Sequence, residues 1–358
     1  MSIKKELFGT TKDGKEVTRY ILTNSQGASV SFLDLGAVIQ SILVPDKNGK
    51  LEDVVLGYDT VSGYETNVPS FGAPVGRCAN RISDGQFTLQ GKTYVLEQND
   101  DTNCLHGGYL RYNHMMYEAE CMPGAEGDSI AFSRLSPDGE QGFPGNLSLT
   151  ITYTWNDACE LLIEYNAVCD QDTVLNLTNH SYFNIGSGGQ GEGNVLGLEV
   201  QIASDRYTPI GDKRLPTGEI RSVEGTAMDF REFQALGSRI GRDDPDVQTV
   251  SGYDHNYILP QKDGEIIYAA AVKDSESGRI MEVFTDMPGI QLYSAKELEE
   301  TGGKGGITYG HFGGVCFETQ QFPNGINEPS FPNPILKAGE EMESTTIYRF
   351  GIESTENA

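Results

Sequence analysis

The sequence predicts an all-β fold, a large antiparallel β-sandwich with little helix, on three observations. Apolar residues recur with period two along many short segments. Turn residues are abundant and scattered, with 43 Gly and 15 Pro in 358 residues, and they form neither a collagen-like period nor a Gly/Ser linker. Helical periodicity is rare, while strands and turns alternate along the whole chain. Length alone suggests about two or three domains, but β-rich chains of this size also fold as one unit, and residues 1–358 are read as a single domain.

Residues 28–33 and 38–44 alternate as strands, and the break at 45–49 ends in Asn48-Gly49, a pair that tolerates positive φ. Residues 54–57 resume a buried strand, and 60–66 form a short helical turn. A hairpin is expected from 86–89 and 92–96 across Gln90-Gly91. Residues 99–108 are a loop. The cleanest pattern lies between 129 and 169. There Leu147, Leu149, Ile151, Tyr153 and Trp155 share one face, a turn follows at 156–158, and Leu161, Ile163, Tyr165 and Ala167 alternate again. The stretch 176–186 is expected to extend that sheet. Residues 196–202 alternate, and 226–241 are the best candidate for a short helix. At 251–258 a loop enters a strand; strands follow at 268–273, 279–285 and 290–294, then a solvated acidic loop at 296–306, a strand around Glu318 and a last strand at 344–350.

The net charge is −26, from 26 Lys+Arg against 52 Asp+Glu. That excludes nucleic acid and anionic membranes as partners, since both demand a basic footprint. A phosphorylated substrate also needs local cations, and no dense basic cluster stands in the sequence. The six cysteines form no Cys-x-x-Cys pair and no Cys/His zinc spacing, so they read as reduced thiols and not as metal ligands. The N-terminus lacks a signal-peptide apolar core, and no run approaches the roughly 20 apolar residues that span a bilayer. These features predict a soluble, cytoplasmic protein. Nothing in them separates a monomer from a homodimer.

Two stretches carry chemistry. In 176–186 a strand delivers Asn179, His180 and Asn184 among the aromatics Tyr182 and Phe183. A histidine there suits proton transfer on a neutral polar ligand, though structural histidines at strand ends are equally common. In 313–325, Glu318 sits inside an otherwise uncharged strand, so it faces a cavity, is paired, or has a shifted pKa. His106 precedes two glycines in a loop, where the backbone is free to approach a ligand. Arg77, Asn80 and Arg81 fall within five residues, and for Arg77 a surface position is as good a reading as a functional one. Asp254 and His255 adjoin, but neighbours on a strand point to opposite faces, so His255 reads as structural. His114 and His311 read as structural too.

Taken together, RCANRI at 77–82, LHGG at 105–108, NHSYFNIG at 179–186, YDHN at 253–256 and FETQQFP at 317–323 resemble the aldose 1-epimerase family, the galactose mutarotases. LPTGE at 215–219 and TAMDFR at 226–231 extend the resemblance over nearly the whole chain. It implies one galactose mutarotase-like sandwich and a cofactor-free interconversion of the α and β anomers of a free aldohexose such as D-galactose or D-glucose. It implies Glu318 as base, His180 as acid and His106 as a second histidine contacting the sugar. Arg81 and Asp254 are implied to hydrogen-bond sugar hydroxyls. Asn80 and Gln291 match motif positions with less defined binding roles. At neutral pH that chemistry wants Glu318 ionised and His180 partly protonated, and a nearby carboxylate would raise the histidine. Departures from the common pattern at Tyr117, Ser181 and Asn324 touch neither proposed acid nor base. Alternatives on the same fold are a non-catalytic carbohydrate-binding protein and an epimerase of a hexose phosphate. A glycoside hydrolase would normally need two carboxylates flanking the bond.

Overall fold

Burial and exposure alternate along Leu147–Trp155, and the same period runs through Glu160–Cys169 beside it. The computed structural model describes residues 2–186, 193–262 and 264–353. These two strands lie in a nine-stranded sheet whose order is Glu118–Met122, Asp128–Ser136, Leu147–Trp155, Glu160–Cys169, Glu341–Ile352, Arg279–Thr285, Ile267–Lys273, Glu199–Ile202 and Gln234–Ala235. An N-terminal sheet of five strands runs from Ser2–Thr10 to Leu51–Asp53 in sequence order. Another five-stranded sheet orders Arg221–Ser222, Arg206–Thr208, Asp254–Ile258, Gly289–Tyr293 and Cys316–Gln320. It is called the site sheet below. Every pairing between these strands is antiparallel.

One core joins all three sheets. Phe32 of the N-terminal sheet stacks on Tyr153 of the long sheet, with ring centroids 4.6 Å apart. Ile290 and Phe317 of the site sheet enter the same cluster as Ile151, Leu161 and Val283. Each such fully buried side chain contributes about 1.5–3 kcal/mol. Tyr348 donates its hydroxyl to the Phe317 carbonyl at 3.0 Å, which ties the long sheet to the strand bearing Glu318.

Several expectations are corrected. The strand Ser2–Thr10 was not predicted; it is an edge strand with mostly exposed residues, so it carries little apolar alternation. Residues 54–57 form no strand, and Val55 makes an isolated bridge to Phe183. The stretch 176–186 does not extend the long sheet. Thr178–Asn179 pairs with Pro74–Val75, and Phe183 bridges both Val55 and Val315. Residues 226–241 hold no α-helix; they contain the short strand Gln234–Ala235 and a 3-10 turn at Leu236–Arg239. The helix lies later, at Pro245–Val250, where Asp244 caps the Asp246 N–H and proline takes the first turn. The loop 296–306 is not solvated throughout, because Lys304 is buried against Asp53 (2.7 Å) and the Val55 carbonyl (2.9 Å). The helical turn at Val61–Thr66, capped by Thr60, and the hairpin Gln86–Leu89 with Lys92–Val95 are as expected. No described helix is long and apolar enough to cross a membrane.

Candidate active site

Alternation on the site sheet sorts its side chains into two layers. Gln291 stands opposite Glu318 and Asn256, and Tyr293 opposite Cys316 and Asp254, so all six share one face. Ile290, Leu292, Phe317 and Tyr257 take the other face, in the core. His255 is buried on that opposite face against Tyr207, away from Asp254. The polar face floors a cavity of ≈ 230 Å³.

The walls come from loops. Thr178–Asn179 is pinned to Pro74–Val75 and delivers His180 over Glu318, with Nε2 3.7 Å from Oε2. Tyr182 stacks on the His180 ring at 5.0 Å and 21°, which fixes the plane of the imidazole. His106 meets His180 edge-on at 5.3 Å. The backbone N–H of Asn80 donates to His106 Nδ1 at 3.1 Å, while the His106 N–H donates to the Asn80 carbonyl. A ring nitrogen that accepts from a backbone amide cannot also carry a proton, so the His106 proton sits on Nε2. Both residues adopt positive φ, 60° at Asn80 and 55° at His106, and the reciprocal bonds hold that unfavourable backbone.

Arg81 donates from Nε to Asp100 at 2.7 Å and lies 3.8 Å from Asp254. Asp254 accepts from Gln291 Nε2 at 2.7 Å, and Gln291 in turn accepts from Gln320 at 3.2 Å. Of the residues expected from sequence, Glu318, His180, His106, Arg81, Asp254 and Asn80 line the cavity. Gln291 stands behind Asp254 and orients it. Arg77 is neither at the surface nor in the cavity; it is fully buried, donating to Ser136 and to the carbonyls of Pro137 and Pro144. His114 bonds the Thr66 carbonyl, and exposed His311 pairs with Glu299. All six cysteines are free thiols.

Sequence reading missed Arg111, Arg214 and Glu297, which also line the cavity. Arg214 and Glu297 form an ion pair across 83 residues, a relationship no local pattern announces. Arg111 follows the His106 loop closely, which was its one available signal. The basic cluster not seen in the sequence is therefore assembled by the fold, as three arginines, Arg81, Arg111 and Arg214, from separate segments.

Burial dominates the electrostatics. It raises Glu318 well above the usual carboxylate range, Asp254 adds to the rise, and Arg81 opposes it. Burial also lowers His180 to about 4, with a bond to its own backbone carbonyl and Asp254 opposing, and with Arg111 assisting. His106 is lowered well below the ordinary value by burial, His180 and two arginines. A nearby carboxylate was expected to raise His180; desolvation outweighs it. Burial thus favours a carboxylic acid beside a neutral imidazole. That pair holds the same single proton as carboxylate plus imidazolium. Glu318 Oε2 is buried without a hydrogen-bond partner among the described residues.

The Aldose 1-epimerase family model matches residues 18–349. The chain is similar to a galactose mutarotase of Mus musculus, 40% identical over 98% of this chain and 99% of the mouse protein. It is similar to an aldose 1-epimerase of Escherichia coli K12, 33% identical over 94% of this chain and 96% of that one. The crystal structure of galactose 1-epimerase from Lactobacillus acidophilus superimposes with a TM-score of 0.85 at 27% identity, covering 99% of each chain.

Proposed function

We infer from membership of the aldose 1-epimerase family, to which this chain belongs, that Glu318 and His180 handle the protons when the pocket interconverts the anomers of a free hexose. The protein is an isomerase, an aldose 1-epimerase. D-Galactose and D-glucose are the proposed substrates, and residues 1–358 the proposed single catalytic domain. The observation that supports the residue roles is the 3.7 Å approach of Glu318 Oε2 to His180 Nε2 inside a cavity also lined by Arg81, His106 and Asp254.

The C1 hydroxyl of the sugar donates to Glu318, and the ring oxygen accepts from His180 Nε2–H. Those hydrogen bonds replace part of the solvation lost on burial and favour the carboxylate–imidazolium tautomer. Glu318 takes the C1 hydroxyl proton as His180 protonates the ring oxygen. The C1–O5 bond breaks and C1 becomes an aldehyde carbon. Rotation about C1–C2 presents its other face. The C5 hydroxyl then attacks, its proton returns to His180, and Glu318 returns a proton to O1. Atoms and protons balance over the cycle, and no redox step occurs. Arg81 and Asp254 hold vicinal hydroxyls, and His106, neutral with its proton on Nε2, donates to the sugar without competing for the catalytic proton. Asn80 supports binding through His106, and Gln291 through Asp254.

Free, mostly buried thiols support a reducing compartment, and we place the protein in the cytoplasm, to be checked by fractionation. Polarimetry of freshly dissolved α-D-galactose and α-D-glucose tests the activity. The purified protein should speed the approach to equilibrium rotation severalfold or more over buffer; a rate equal to buffer for both sugars would overturn the reading.

A further inference from the structure

Three arginines line the cavity, and they are not equivalent. Arg81 pairs with Asp100, and Arg214 with Glu297. Arg111 has no carboxylate within ion-pair distance among the described residues. Its Nη1 donates to the Val68 carbonyl at 2.9 Å and to Ser70 Oγ at 3.2 Å, and the guanidinium still borders the cavity. A half-buried cation left with neutral partners is a place for an anionic or strongly accepting ligand group.

Its position relative to the reacting pair follows from contacts. Tyr182 stacks on His180 and donates its hydroxyl to the Pro69 carbonyl at 3.1 Å. Pro69 lies between the two residues that Arg111 grips. Arg111 therefore stands beside His180, while Asp254 shares the strand face of Glu318 and has Arg81 3.8 Å away. If O1 meets Glu318 and O5 meets His180, C5 and its exocyclic carbon lie beyond O5, on the Arg111 side. This step rests on the anomer-interconversion reading above.

We propose that Arg111 reads the exocyclic substituent on C5 of the pyranose, and that the site accepts hexuronates, whose C6 is a carboxylate, alongside neutral hexoses. A planar guanidinium matches a carboxylate with two parallel N–H bonds, and gives one bond to a primary hydroxyl and none to a methyl group.

The test compares D-galacturonate, D-galactose and 6-deoxy-D-galactose by polarimetry at pH 7.5, with wild type, Arg111→Leu, Arg111→Lys and Ser70→Ala, each checked by thermal melting. Wild type should accelerate all three sugars. Arg111→Leu should lose about 10–100-fold in kcat/KM on galacturonate, only severalfold on galactose, and stay within about twofold on the 6-deoxy sugar. Arg111→Lys should retain part of the galacturonate activity. Ser70→Ala, which removes one loop bond and keeps the cation, should shift all three sugars equally. Wild type that turns over galactose and excludes galacturonate overturns the proposal. So does an Arg111→Leu variant that weakens all three sugars alike, which would make Arg111 a loop tie. Failure of wild type on the two neutral sugars would instead overturn the underlying activity, and the proposal with it.

Discussion

Glu318 Oε2 and His180 Nε2 face each other across 3.7 Å, too far for a hydrogen bond, and Oε2 has no hydrogen-bond partner among the described residues. The gap is held open from both sides. Glu318 is fixed on a strand in register with Gly289–Tyr293, and His180 is stacked on Tyr182 and pinned through Asn179. A pair free to close would neutralise itself in a direct bond. Held apart, it offers one acceptor and one donor to a ligand that presents a hydroxyl beside an ether oxygen.

Replacing Glu318 by Gln should abolish catalysis and spare the fold. The amide is isosteric but cannot take the C1 hydroxyl proton, so kcat should fall about 10²–10⁴-fold. Glu318 has a folded pKa above its ordinary value of 4.5. Its contribution to stability is thus complete below 4.5 and is lost as pH rises through the raised value. The variant escapes that loss, so its melting temperature should match or exceed that of wild type at pH 8 and sit relatively lower at pH 4. An active variant, or one that melts well below wild type at pH 8, would contradict the assignment.

His180 has the opposite sign. Its folded pKa, about 4, lies below the ordinary 6.5. The stability it contributes is present above 6.5 and is lost as pH falls toward 4. His180→Asn should therefore lose less stability than wild type between those values, and should lose mutarotation by a factor similar to Glu318→Gln. In the proposed mechanism the pair shares one proton. The acid limb of wild-type kcat/KM should accordingly lie well below pH 6.5, as a profile from pH 4 to 9 would show. A limb centred at 6.5 would mean that His180 titrates as an exposed imidazole.

Gln291 should act on binding more than on chemistry. It fixes one oxygen of Asp254 and closes the chain to Gln320. Gln291→Leu frees Asp254 to turn toward Arg81 and leaves Gln320 unpaired. KM should rise about 10-fold, from the loss of one charge-assisted bond, with kcat changed less. A fall in kcat with KM unchanged would place Gln291 in the chemical step.

How far the sequence revealed this site depended on locality. Glu318 stood out because a carboxylate inside an apolar strand demands explanation, and period two separated Asp254 from His255. His106 was visible from its glycines. The helix at Pro245–Val250 was signalled by Asp244-Pro245 and overlooked in favour of residues 226–241, where sheet pairing at Gln234–Ala235 leaves only a 3-10 turn at Leu236–Arg239. The stretch 176–186 looked like a continuous strand, yet its alternation is shared among short bridges to three separate segments. Arg214 with Glu297 and Lys304 with Asp53 left no trace, because each pair joins residues far apart in the chain.

Arg77 shows the same limit in a residue that sequence placed at the surface or in the site. Its guanidinium is wholly buried and donates to the Pro144 carbonyl at 2.7 Å, to the Pro137 and Ser136 carbonyls at 3.0 Å each, and to Ser136 Oγ at 2.8 Å. Ser136 Oγ in turn donates to Glu140, which pairs with Arg134. Arg77→Ala leaves several carbonyls buried without donors and opens a cavity beneath the loop that carries Asn80 and Arg81. Stability should fall by about 3–5 kcal/mol, read as a lower urea midpoint at unchanged slope. Because the guanidinium does not border the cavity, kcat per folded molecule at low temperature should stay within a few fold of wild type. A variant that melts like wild type would show that these bonds do not hold the loop, and one that stays folded but inactive would return Arg77 to the site.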